Sequence, residues 1–162
     1  MKNLGFTLLF SLTLLTACSQ PESSFSYTDI AIHEVGATHD LELVWNHSWR
    51  LHTEQPATSA ALAKLAEFHK KHPNYVFEIQ RHTDHRGRDK SNLILSQKRA
   101  ESVVLELVAR HEVDPTKFQA KGYGETQPRI SAELILTEKS KEAQEKLHRA
   151  NMRTTVVLLK ID

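Results

Sequence analysis

Two hydrophobic periods alternate along the chain from residue 58 onward, and they limit the fold more than any other feature of the sequence. Residues with helical spacing, apolar except for a histidine at each end, form two stripes: Leu62, Leu65, Ala66 and His69, then Ala100, Val103, Val104, Leu107 and His111. Strand-like runs occupy 75–82, 117–124 and 153–162, and the polar stretch 137–151 favours a helix. Alternation of this kind predicts one sheet with helices packed on it.

Two further strand-like runs precede these segments. DIAIHEV (29–35) and HDLELVW (39–45) both alternate apolar with polar residues. The intervening VGATHD (35–40) is typical of a hairpin loop. The sequence therefore predicts a hairpin at the start of the domain.

Residues 1–17 have the pattern of a secretory signal peptide: Lys2, an apolar run too short to span a bilayer comfortably, then small residues. LTAC (15–18) resembles the lipobox of bacterial lipoproteins, in which the cysteine is lipidated and becomes the mature N-terminus. The resemblance implies palmitate or a similar fatty acid on Cys18. Ser19 in place of Asp implies the outer membrane, with the domain in the periplasm.

The rest of the chain divides into a tether and one domain. Residues 18–29 are rich in Ser and predict a flexible tether, and 30–162 form the domain, with its core within 40–160. Since Cys18 has no second cysteine to pair with, the domain must be stabilised by its hydrophobic core.

Charge argues against nucleic acid as a partner. The chain has 21 Lys and Arg against 20 Asp and Glu, and loss of residues 1–17 removes one base, Lys2, and no acid. The mature chain is therefore balanced, whereas nucleic-acid proteins are usually basic.

The loop QRHTDHRGR (80–88) places Asp84 among three arginines and two histidines. It is open to interpretation as a metal site, a solvated loop with an internal ion pair, or a cradle for a ligand that carries both charges. His82 and His85 suit zinc, but no HExxH or cysteine pair accompanies them and the arginines oppose a cation. We predict no metal and no cofactor. No nucleophile elbow appears, so we also predict no enzyme activity.

Four separated motifs resemble the OmpA-like peptidoglycan-binding domain, the family that includes Pal lipoproteins. They are HTDHRG (82–87), NLILSQKRA (92–100), KGYGE (121–125) and HRANMRTTV (148–156). The resemblance implies an α+β fold of βαβαβ type, a single mixed β-sheet with two to three helices packed on it. It also implies non-covalent binding of peptidoglycan by an anchored protein that tethers the outer membrane to the cell wall, with other envelope proteins as further partners.

The family binds diaminopimelate of the stem peptide, whose side chain ends in an ammonium and a carboxylate. Carried over residue by residue, the resemblance gives Asp84 the ammonium and Arg99 the carboxylate, with Thr83, Asn92 and Arg153 shaping the site. Asn92 and Arg99, with Ser96 between them, are expected on one face of a helix, opposite its apolar stripe. Nearby arginines are expected to hold Asp84 ionised and to order the loop without ligand.

The chain departs from the family pattern in three places, and the first two support an alternative. Arg81 stands where glycine is usual, Met152 replaces the first of two arginines, and VWNHSW (44–49) lacks the usual Asp. The alternative is an OmpA-like fold that serves as a periplasmic protein-interaction module with a lost or altered wall pocket.

Overall fold

The computed structural model describes residues 30–45 and 50–162. Its elements, in chain order, are β1 (Thr38–Leu41), α1 (Pro56–Lys71), β2 (Tyr75–His82), α2 (Asp89–His111), β3 (Phe118–Gly124), α3 (Ala132–Thr137), α4 (Lys141–Asn151) and β4 (Thr154–Ile161), with a 3₁₀ turn at Pro115–Lys117 before β3. The predicted signal peptide, Cys18 and the tether lie outside the described residues.

The strands form one mixed sheet in the order β1-β4-β2-β3. β2 and β3 are parallel, while β4 runs antiparallel to both β1 and β2. Parallel neighbours need a long crossover, and α2 supplies it. The predicted α+β class with a single mixed sheet and helices packed on it is confirmed.

The core lies between the sheet and the two long helices. Its fully buried side chains include Leu62 and Leu65 of α1, Phe77 and Ile79 of β2, Ala100, Val103 and Leu107 of α2, and Val156 and Leu158 of β4. The predicted stripe of α2 therefore faces the sheet, although Val104 is only partly buried at its margin. The continuous burial of Val76 to Ile79 reflects the central position of β2.

The predicted N-terminal hairpin is wrong. In place of a strand over 29–35, Ile30 to His33 has no regular structure and a turn follows at Glu34–Gly36, where Gly36 has φ +88°. Ile32 is nevertheless fully buried, so its apolar side chain anchors the core without strand pairing. Asp29 lies outside the described residues.

The second predicted strand, over 39–45, is shorter than expected. β1 ends at Leu41, and only an isolated bridge joins Trp45 to Leu51 farther on. β1 pairs with β4, with Thr38 opposite Val157, so its partner lies at the far end of the chain.

The predicted helix over 137–151 begins later, since α4 starts at Lys141, and a short helix that was not predicted, α3 (Ala132–Thr137), precedes it. Ser131 caps α3 by accepting a hydrogen bond from the Leu134 N–H at 3.2 Å, and Ser140 caps α4 by accepting one from Ala143 at 3.3 Å. These caps satisfy backbone donors that a helix end leaves free. Among the residues described, no helix has the length and apolar character needed to cross a membrane.

Candidate functional site

The end of β2 is fixed between its two neighbouring strands. The His82 N–H donates to the Arg153 carbonyl at 3.0 Å, and the Thr83 N–H donates to the Gly124 carbonyl at 2.9 Å. Asp84 therefore leaves the sheet at a fixed point, and the chain then turns through Gly87, whose φ is +113°.

Asn92, in the first turn of α2, holds this loop from the other side. Its side-chain amide donates to the carbonyls of Asp84 at 3.3 Å and Arg86 at 3.2 Å, and also to the Glu125 carboxylate. The predicted site residues Thr83, Asp84 and Asn92 are thus brought together at one end of the sheet.

The Asp84 carboxylate is buried and is bound by Arg86. The Arg86 Nε donates to Oδ2 at 2.7 Å, and its backbone N–H donates to Oδ1 at 3.0 Å. The same guanidinium donates to Glu145 of α4 at 2.8 Å. These contacts raise the pKa of Arg86, chiefly through its hydrogen bond to Asp84. Arg86 thus binds Asp84 within the loop, and it does so from a half-exposed position.

His148 of α4 completes the surroundings of Asp84. Its Nδ1 lies 3.7 Å from the Asp84 Oδ2, and its ring packs against His85 with centroids 5.0 Å apart. α4 therefore forms one wall of the Asp84 site.

The expected orientation of the polar face of α2 is wrong. Asn92 and Ser96 are buried in line with Ala100, so they extend the apolar stripe rather than oppose it. The reason is the close approach of β3: a Cβ on Gly122 would lie 2.1 Å from the Gln97 backbone nitrogen. In that tight contact the Ser96 hydroxyl accepts a hydrogen bond from the Gly124 N–H at 2.8 Å.

Two arginines lie close to the Trp45 ring. The Arg81 and Arg99 guanidinium carbons lie 5.1 Å and 5.2 Å from the centroid of the Trp45 ring. Arg81 is 4% exposed, and its Nη1 donates to the Thr154 hydroxyl at 3.2 Å. Burial, followed by the charges of Arg99 and Arg153, lowers the pKa of Arg81 to about 9, so it remains charged at pH 7.

The two remaining predicted residues belong to this group of arginines. Burial lowers the pKa of Arg99. Burial also lowers the pKa of Arg153, and it does so more than the nearby charge of Arg129 does. Arg153 lies directly before β4. Its guanidinium donates to the carbonyls of Asn151 at 3.4 Å and Gln127 at 3.1 Å. The region around the end of β2 thus contains the buried Asp84 carboxylate and the arginines Arg81, Arg99 and Arg153.

Several residues of the site were not among those predicted to bind the ligand. Arg86 had a usable signal, since an Asp side chain commonly bonds the backbone two residues ahead in a turn. Trp45, Glu145 and His148 had none, because each reaches the site from a distant element. Asn151 holds the neighbouring loop: its Oδ1 accepts from the N–H groups of residues 129 and 130 at 2.9 and 3.0 Å.

The histidines do not support a metal site. Within residues 30–45 and 50–162, no group of three or more His, Cys, Asp or Glu side chains is placed to hold a metal ion. His82 stacks on Tyr123 at 5.2 Å, and burial, followed by the charges of Arg153 and Arg81, lowers its pKa to about 4. The positive charges of the neighbouring arginines oppose the binding of a cation there.

The single mixed four-stranded sheet with helices packed on it matches the OmpA-like fold. The chain belongs to the OmpA family, whose model matches residues 48–145. OmpA-like domains are structural binding domains and not enzymes, which confirms the prediction of no enzyme activity.

Two named relatives come from the bacterial envelope. Outer membrane porin F of Pseudomonas aeruginosa is 38% identical over 69 residues, covering 43% of this chain and 20% of the porin. A peptidoglycan-associated lipoprotein of Buchnera aphidicola is 40% identical over 67 residues, covering 41% of this chain and 38% of the lipoprotein. The matched segment thus spans a fifth to two fifths of the length of these relatives.

Solved structures share the fold. The peptidoglycan-associated lipoprotein of Burkholderia pseudomallei matches with a TM-score of 0.53 and 26% identity, covering 72% of this chain and 86% of that one. The periplasmic domain of Helicobacter pylori MotB matches with a TM-score of 0.58 over 80% of this chain and 79% of its own, and at 19% identity it supports the fold alone.

Proposed function

We propose that the chain binds peptidoglycan non-covalently, through the diaminopimelate of the stem peptide. The observation that carries the proposal is the separation of charge at the terminus of β2. Asp84 is a buried carboxylate two residues beyond the end of β2, and Arg99 contacts the Trp45 ring together with Arg81 of β2. A zwitterionic side-chain end needs both signs in one pocket.

Binding replaces one cation on Asp84 by another. Without ligand, the Arg86 guanidinium binds the Asp84 carboxylate and also Glu145. When the ligand ammonium binds Asp84 in its place, Arg86 remains paired with Glu145. The buried carboxylate thus keeps a positive partner throughout, which avoids the cost of an unpaired buried charge.

Arg99 receives the carboxylate of the ligand. A guanidinium presents a planar fork that fits a carboxylate, and a partly buried one binds more strongly than a solvated one. Contact with the Trp45 ring limits the conformations of the Arg99 side chain, so less entropy is lost on binding.

The proposed role in the cell is a tether. Lipid on Cys18 would hold the protein in the outer membrane, residues 18–29 would span the gap, and the periplasmic domain would hold the wall. Several acyl chains would anchor it firmly, at about 0.8 kcal/mol per buried methylene.

Sedimentation with purified sacculi tests wall binding. The full chain in detergent should co-sediment, and Asp84→Asn or Arg99→Ala should each abolish most of the binding, since truncating one partner of a buried charge pair costs about 2–5 kcal/mol. Asp162→Asn is the matched control for Asp84→Asn, because it removes a carboxylate at the opposite end of the domain. Arg110→Ala is the matched control for Arg99→Ala, because it removes a guanidinium from the last turn of the same helix. Full binding by both site variants would refute the proposal.

The same assay separates the metal interpretation. That interpretation expects His82→Ala and His85→Ala to matter most and a chelator to release the wall. We expect neither histidine variant nor the chelator to release it, and Arg153→Ala to weaken binding less than Arg99→Ala does.

The anchor has its own test. Cys18→Ser should leave the precursor uncleaved and unlabelled by radioactive palmitate, since the thiol is the acceptor. Label that persists on this variant would exclude lipidation at Cys18.

The alternative, an interaction module with a lost pocket, finds little support at the two departures that suggested it. Arg81 adds a charge to the pocket instead of removing one. Met152 ends α4 by donating its N–H to the His148 carbonyl at 3.1 Å, so it has a local structural role there.

A further inference from the structure

Arg81 is a buried arginine to which the proposed wall site assigns no contact with the ligand. It is 4% exposed, and its Nε is buried without a hydrogen-bond partner among the described residues. Its hydrogen bond is to a neutral hydroxyl, that of Thr154. No carboxylate in residues 30–45 or 50–162 forms a salt bridge with it.

The surroundings of Arg81 add positive charge instead of neutralising it. The guanidinium groups of Arg81 and Arg99 both lie close to the Trp45 ring. Arg153 is near enough to Arg81 to repel its charge. Like charges held together in a buried place destabilise the free protein, and they attract an anion strongly because the local dielectric is low.

We propose that Arg81 makes the pocket selective for a stem peptide whose diaminopimelate carboxyl group is free, against one in which it is amidated. The inference rests on the proposed wall binding and deepens it. An ionised carboxylate interacts favourably with Arg81 and Arg99 together, whereas a carboxamide is neutral and brings an N–H donor toward a cluster of donors. Glycine at position 81 would leave Arg99 to discriminate with less help.

Two synthetic stem tetrapeptides test this selectivity by calorimetry with the full chain in detergent. They differ only in the diaminopimelate side-chain carboxyl group, free in one and amidated in the other. The wild type should bind the free peptide more tightly. Arg81→Met should weaken binding of the free peptide about tenfold and change binding of the amidated peptide little, as expected for loss of one close charge pair.

Companion variants keep the test decisive. Arg81→Lys retains the charge and should therefore retain most of the selectivity. If the Arg81 side chain acted only through packing, the lysine variant would lose selectivity as the neutral variants do. Arg81→Gly is a second neutral variant if the methionine variant melts early. Lys160→Met removes the same charge at the far end of β4 and should leave the affinity ratio unchanged.

The outcomes distinguish two failures. If the wild type binds neither peptide, the proposed wall binding is wrong. If the wild type binds the free peptide and Arg81→Met and Arg81→Gly keep the same ratio of affinities, the role of Arg81 is refuted. A ratio that also falls for Lys160→Met would show that net charge alone sets the preference, and it would refute the role of Arg81 as well.

Discussion

Replacing Arg86 by glutamine should strengthen ligand binding, because Arg86 competes with the ligand for Asp84. In the free protein, the guanidinium donates to the Asp84 Oδ2 at 2.7 Å and is 48% exposed, while Asp84 is 7% exposed. A ligand ammonium reaches that carboxylate only by displacing Arg86. Glutamine keeps a polar side chain of similar reach and removes the positive charge.

The expected change in binding free energy follows from the position of the Arg86–Asp84 ion pair at the edge of the buried region. Solvent screens the exposed half, so the pair contributes about 1 kcal/mol, at the upper end for surface pairs. The variant should therefore bind the stem tetrapeptide roughly fivefold more tightly, since 1.36 kcal/mol corresponds to a factor of ten. The free domain should lose stability by the same amount, about 1 kcal/mol.

Calorimetry with the stem tetrapeptide measures the first effect, and urea unfolding without peptide measures the second. Arg110→Gln is the matched control, since Arg110 pairs with Glu106 on the surface of α2 and should leave affinity unchanged. Weaker binding by the Arg86 variant would mean that Arg86 contacts the ligand itself, and the displacement mechanism would be wrong.

Three further predictions concern stability, each measured by urea unfolding. Gly122→Ala should lower the free energy of unfolding by about 3 kcal/mol, because the new Cβ would lie 2.1 Å from a backbone nitrogen of α2. Gly36→Ala should lower it by about 1 kcal/mol, because Gly36 lies in open space and only its positive φ disfavours alanine. Equal losses for the two variants would contradict the packing argument. Asn151→Ala should cost about 2–4 kcal/mol, since three hydrogen bonds to residues 129 and 130 are lost, and an unchanged midpoint would contradict this. The pKa of His82 is about 4 in the folded protein and near 6.5 when unfolded, so protonation favours unfolding as pH falls from 6.5 to 4. The wild type should lose about 2 kcal/mol more than His82→Phe over that range, and equal losses would show that His82 is not the group responsible.

The helices and central strands could be predicted because their hydrophobic periods reflect burial within each element. The stripe of α2 faces the sheet at Ala100, Val103 and Leu107, as its spacing indicated. The N-terminal region could not be predicted in this way. Ile32 is buried without being in a strand, and β1 pairs with β4, so the local pattern there specifies neither structure nor partner.

The site was predictable in composition more than in arrangement. The loop after β2 does concentrate charge around Asp84, as its sequence suggested. The face of α2 that carries Ser96 was misassigned, because a small polar residue can be buried when it accepts a hydrogen bond from a backbone N–H such as that of Gly124. Trp45 reaches the arginines across the fold, and no pattern within one element indicates such a contact.

Comparison of two kinds of cell wall tests the central claim most directly. Lysine is diaminopimelate without the side-chain carboxylate, so a lysine-type wall offers the ammonium for Asp84 but nothing for Arg99. We expect the full chain in detergent to co-sediment with sacculi of the diaminopimelate type and to remain in solution with sacculi of the lysine type. Equal binding to both walls would contradict recognition of a zwitterion by the two residues.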